Sequence, residues 1–99
     1  MKILAIEKEI EGAEWKNMEA LLAEEAQHVF QLYLSDKLRE IYFTEENNAV
    51  LILETKDTKM AKELLDDLPL VKNKKIRFDI LELRPYNGFE RLIQKQKLT

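Results

Sequence analysis

The chain has 99 residues, 45% of them apolar and 35% charged, with a formal net charge of −3, two glycines, two prolines and no cysteine. A chain of this length buries only roughly 65% of its unfolded surface, enough for one core and too little for two, so residues 1–99 read as a single domain. The acidic balance argues against a nucleic-acid partner, the missing cysteines exclude disulfides, thiol catalysis and thiolate metal sites, and no apolar run approaches the roughly 18 residues of a membrane span; a cytoplasmic protein is expected.

Ile3-Leu4-Ala5-Ile6 is a short continuous apolar run, the pattern of a strand buried on both faces, and it gives way to charged residues and Gly12. From Ala13 to Ser35 the apolar period becomes helical: Trp15, Met18, Leu22, Ala26, Val29 and Tyr33 recur at three and four, with Leu21 and Leu32 widening the stripe. Trp15 is expected to open that stripe as a core residue. Leu38 to Thr44 is aromatic and β-branched enough for a strand, Glu45 to Asn48 reads as a tight turn because Asn tolerates positive φ, and Ala49 to Glu54 returns as the second arm of a hairpin.

Asp57 or Thr58 caps a second helix whose stripe is Met60, Ala61, Leu64, Leu65 and Leu68, and Pro69 forces Leu68 out of helical geometry. A basic turn, Lys72 to Lys75, reads as solvated rather than as an anion site. It leads into a last strand, Ile76 to Leu83, followed by a turn over Arg84 to Gly88. Residues 86–99 form a C-terminal arm, with helical spacing over Phe89 to Ile93 and a frayed tail from Gln94 to Thr99.

The order β-α-β-β-α-β is that of the α+β, ferredoxin-like fold: a four-stranded antiparallel sheet with two helices on one face. Two helices cover one face only, yet Ile3 to Ile6 and Ala49 to Leu53 present carbon to both. The second face therefore calls for a second copy packed sheet to sheet, a homodimer or higher homo-oligomer. An RNA-recognition domain shares the strand order, but Val50 to Leu53 is aliphatic where such domains display stacking aromatics.

Four pieces of the chain resemble the muconolactone isomerase-like group of dimeric α+β barrels. They are Leu22-Ala23-Glu24-Glu25-Ala26 on the first helix, Arg39 opening the second strand, Leu68-Pro69-Leu70 ending the second helix, and Pro85 beyond the last strand. The resemblance implies paired sheets, a pocket between sheet and helices, and cofactor-free proton transfer on a small lactone or organic acid. A non-catalytic ligand-binding or association domain and a cofactor-free monooxygenase are the alternatives on the same scaffold.

Counting 100° per residue places Glu25 among Met18, Leu22, Val29 and Leu32, inside the apolar stripe. A carboxylate taken out of water has its charged form disfavoured and becomes a competent base or acid near neutrality. His28, at i+3, borders the same face, so Glu25 and His28 are the candidate catalytic pair; the plainer reading is a Glu25 salt bridge to Arg39 or Arg84 and a boundary histidine. Arg39 can clamp a carboxylate through two parallel hydrogen bonds, or form an edge salt bridge. Tyr33, Tyr42 and Tyr86 offer phenols to a ligand, or fill core and interface. With one histidine and acidic clusters that lack the spacing of a calcium loop, no metal is expected; haem on a lone His28 is disfavoured, and no cofactor is expected.

Overall fold

A computed structural model describes residues 1–97. Along the chain lie β1 (Lys2–Glu9), α1 (Glu19–Leu34), β2 (Leu38–Phe43), β3 (Ala49–Glu54), α2 (Thr58–Asp66), α3 (Pro69–Lys72), β4 (Ile76–Leu83) and α4 (Glu90–Lys97). The strands form one antiparallel sheet in the order β2-β3-β1-β4. This is the ferredoxin-like βαββαβ arrangement, with both halves contributing an inner strand.

Strand parity sorts the side chains into two faces. Ile3 and Ala5 of β1, Leu51 and Leu53 of β3, and Ile76 of β4 point to the helices and are buried, joined by Leu38, Ala61, Leu65 and Leu68. Their neighbours Leu4, Ile6, Val50 and Ile52 lie on the other face, where they are only half-buried; Leu81 and Leu83 extend that open apolar surface and are exposed. β1 continues to Glu9, three residues past the apolar run, because β4 is long enough to pair with it to the end: Glu7 lies opposite Phe78 and Glu9 opposite Ile76.

β2 departs from simple alternation. Leu38 pairs with Leu53, but the next partner of Ile52 is Glu40, so Arg39 is the extra residue of a β-bulge. Beyond it Ile41 and Phe43 stand opposite Leu51 and Ala49 on the helix face, while Glu40 and Tyr42 turn to the open face.

The first helix is shorter than the apolar period predicts. Asn17 takes φ 54, a left-handed conformation that a helix interior excludes, so the segment from Ala13 is a loop and α1 starts only at Glu19. Gly12 (φ 82) turns the chain out of β1, and Lys75 Nζ ties the loop down by donating to the Glu14 carbonyl at 2.7 Å. Trp15 consequently belongs to this loop and is 39% exposed, a correction to its expected place in the core. Pro69 does end α2, with Leu68 extended (ψ 137), but it also starts the single turn α3, where its lack of an N–H costs nothing. Lys72 of the basic turn bonds Asp67 at 2.8 Å, so two of its cations serve the fold itself.

Asp57 caps α2 by accepting the Met60 N–H at 2.8 Å, and the buried Thr55 hydroxyl donates to the Asp57 carbonyl at 2.8 Å. Asp57→Ala should cost about 1 kcal/mol, seen in a thermal melt as a fall of about 5 °C; an unchanged melt would show that the cap carries no net stability. The hairpin turn closes as the asparagines suggest: Asn47 takes φ 65, and the Thr44 N–H donates to the Asn48 carbonyl at 2.9 Å. At the C-terminus Tyr86 packs edge-on against Phe89, with centroids 5.0 Å apart. The arm leaves Phe89, Leu92 and Ile93 exposed and stretches the molecule to 67 Å. The tail expected to fray from Gln94 is helical to Lys97, and its last two positions, 98 and 99, lie outside the described residues.

Candidate functional site

α1 is held down at its two ends. Leu21 near its start packs with Met18, Leu70 and Ile76, and Val29 and Leu32 near its finish pack on the main core, while no residue of the helix is fully buried. Between these attachments the helix bridges the sheet and leaves a cleft of about 680 Å³ beneath it. Leu22, Glu25, Ala26, Val29, Phe30 and Tyr33 form its roof; Ile41 and Phe43 of β2, Ala49 and Leu51 of β3, and Glu7 and Glu9 of β1 form its floor and side. Trp15, Phe78 and Asn48 complete the rim. The volume suits a small organic molecule, and the lining is mostly hydrocarbon with a few polar groups, the usual constitution of a ligand pocket.

Glu25 is half-buried within this lining. Its Oε1 accepts the Leu70 N–H at 2.9 Å, so the Leu-Pro-Leu corner at α3 anchors the carboxylate that α1 presents. Burial pushes its carboxyl above the usual range; the Leu70 hydrogen bond and the charge of His28 oppose that shift, and the nearby Glu7 adds to it. No ion pair to Arg39 or Arg84 forms among the described residues: Arg84 instead meets Glu82 at 3.3 Å.

The other expected site residues are dispersed. Tyr33 stands at the cavity rim, stacked near Phe30 with centroids 6.5 Å apart. His28 faces a separate shallow hollow with Gln27, Phe30 and Gln31, and reaches the cavity only through its charge on Glu25. Arg39 sits exposed in the bulge, away from the cavity lining. Tyr42 is on the open sheet face, where its hydroxyl donates to Glu40 at 2.7 Å, a bond that raises the phenol pKa. Tyr86 is 74% exposed on the arm. Within the chain, therefore, the fold brings Glu25 and Tyr33 to a common space and leaves His28, Arg39, Tyr42 and Tyr86 outside it.

Two groups at the cavity escaped the sequence reading. Glu7 Oε1 accepts the Ala49 N–H at 3.1 Å, and Glu9 Oε1 accepts the Trp15 indole N–H at 2.7 Å. The signal was present in the parity of β1: residues 3, 5, 7 and 9 share a face, so once Ile3 and Ala5 are assigned to the core, Glu7 and Glu9 must follow them to the cleft. Among the described residues no cluster suited to a metal ion occurs, and no helix is long and apolar enough to cross a membrane.

No protein-family model and no curated protein matches this chain. Among solved structures it is similar to the 5-chloro-2-hydroxyhydroquinone dehydrochlorinase TftG from Burkholderia phenoliruptrix AC1100, determined in complex with 2,5-dihydroxybenzoquinone; the two share 15% sequence identity and a TM-score of 0.62 over 87% of this chain and 96% of that one. The likeness is one of fold. It agrees with the ferredoxin-like arrangement of the sheet and helices, and at this identity it shows no family.

Proposed function

We propose that the cleft beneath α1 is a small-molecule site that works by cofactor-free proton transfer, with Glu25 as the base. The observation that carries this reading is a carboxylate set in an apolar cavity, its basicity raised by burial while one oxygen is fixed by the Leu70 N–H. A base so placed removes a proton from a carbon acid bound against the hydrocarbon floor and returns it at another carbon, which is isomerisation; a small lactone is a substrate of that kind. Tyr33 orients the ligand from the rim, and His28 acts through Glu25 by its charge, as a positioning residue. The test is to incubate the protein in D2O with a panel of small lactones and ketones and follow loss of the α-proton signal by NMR. Exchange that requires Glu25 is expected; exchange that persists in Glu25→Gln sinks the proposal. A non-catalytic binding site is the second reading, favoured by how few polar groups the lining offers, and it predicts ligand retention with no exchange.

The chain acts, in this reading, as a homodimer in the cytoplasm. Leu4, Ile6, Val50, Ile52, Leu81 and Leu83 make a continuous apolar face too large for a solvated sheet, and a second copy covers it economically. Leu81 is already exposed, so Leu81→Glu leaves the protomer folded while placing charge in the contact. Sedimentation at micromolar concentration should show a dimer for the parent chain and a monomer for the variant; a monomeric parent refutes the pairing.

A further inference from the structure

The cavity has an electrostatic sign that its hydrocarbon lining conceals. Glu7, Glu9, Glu25 and Glu46 all border it, and among the described residues no lysine, arginine or histidine does. Glu7 and Glu25 come from opposite walls, sheet and helix, and each engages one carboxylate oxygen with a backbone N–H, at 3.1 and 2.9 Å, keeping the other for a ligand. The cations that the loops bring near are committed elsewhere, Lys75 to the Glu14 carbonyl and Lys72 to Asp67. Around the two acids stand the rings of Trp15, Phe30, Tyr33, Phe43 and Phe78.

An anionic ligand entering this space would meet like charge in a medium less screening than water, with no guanidinium or ammonium to receive it. A cationic one would meet carboxylates, and aromatic faces that attract positive charge through their quadrupoles. We propose that the ligand of this cavity is an organic cation, an aryl- or alkylammonium compound whose apolar body lies on the aromatic wall and whose head is shared by Glu7 and Glu25. This rests on the small-molecule reading above in its binding form, since a Glu25 carboxylate that holds an ammonium head is not free to act as a base, and it turns away the small organic acids expected from the sequence.

Three probes of nearly equal shape separate the alternatives: 2-phenylethylammonium, 2-phenylethanol and phenylacetate, carrying positive, zero and negative charge. Trp15 is the only tryptophan of the chain and borders the cavity, so its fluorescence reports occupancy without a label. The ammonium should bind at least about tenfold more tightly than phenylacetate, with the alcohol between them, and Glu7→Gln combined with Glu25→Gln should bring the ammonium down to the alcohol. Equal or tighter binding of phenylacetate overturns the charge assignment and leaves the cavity reading standing. A preference for the ammonium that survives in the double variant also overturns it, since the charge is then read elsewhere. If none of the three perturbs Trp15 at millimolar concentration, the small-molecule reading falls and the cation with it.

Discussion

Glu25→Gln is expected to cut proton-transfer turnover by a factor of about 10² to 10⁴ and, at the same time, to raise the melting temperature at neutral pH. Glutamine keeps the shape of the side chain and an oxygen for the Leu70 N–H, so the fold has no reason to change. What disappears is a charge held in an apolar cavity. Because burial raises the carboxyl pKa above its ordinary 4.5, the folded chain holds that proton more tightly than the unfolded one, and stability is greatest in acid and declines as pH climbs from that value through the folded one. Glutamine does not titrate. The melting temperatures of parent and variant should therefore lie closest in acid and separate as pH rises above 4.5, the variant on top, until the gap levels off beyond the folded-state value. A gap that does not widen with pH would mean that Glu25 is solvated and has no raised basicity to use. A residue whose removal stabilises the protein while ending its activity is held in place for function.

Leu53→Ala should cost about 3 kcal/mol and lower the melting temperature by about 15 °C. Leu53 is fully buried between its register partners Ile3 and Leu38, beneath the α2 residues Ala61 and Leu65, and nothing mobile stands ready to fill the space it leaves. Leu22 provides the contrast. It is a leucine on the cavity roof, 46% exposed, and Leu22→Ala should cost less than about 1 kcal/mol because the space already exists. Chemical denaturation of both variants checks the pair: similar losses would mean that the cleft is packed shut in solution.

Much of the architecture is legible in local patterns. The Pro69 stop, the Asp57 cap and the paired asparagines of the hairpin each act within a few residues, and each has its expected counterpart in the structure. Glu25 was legible as an anomaly of the helical stripe, and the structure does set it over the cavity. What escaped depends on longer range. The left-handed Asn17 delays α1 and moves Trp15 from core to loop, yet nothing in the local composition marks that asparagine over Asn73 or Asn87. The length of β1 is set by its partner β4, and with it the delivery of Glu7 and Glu9 to the cleft. Arg39 and Tyr42 looked equally suited to a ligand until the β2 register placed one in a bulge and the other on the open face.

That bulge makes the cavity's chemistry a matter of counting. Leu38 is anchored in the core on one side of Arg39, and the hairpin fixes β3 on the other, so whether Arg39 is looped out of the ladder or counted in it decides which half of β2 faces inward. As the chain stands, Ile41 and Phe43 furnish a hydrocarbon wall. Deleting Arg39 would remove the bulge and leave both of them facing inward, whereas drawing Arg39 into the ladder opposite Ile52 would bring Glu40 and Tyr42 inward in their place, an acid and a phenol where there was an isoleucine and a phenylalanine. A lineage on this scaffold can thus exchange a greasy wall for a hydrogen-bonding one by closing the bulge on the residue it now loops out, with every side chain of both walls already written in the gene.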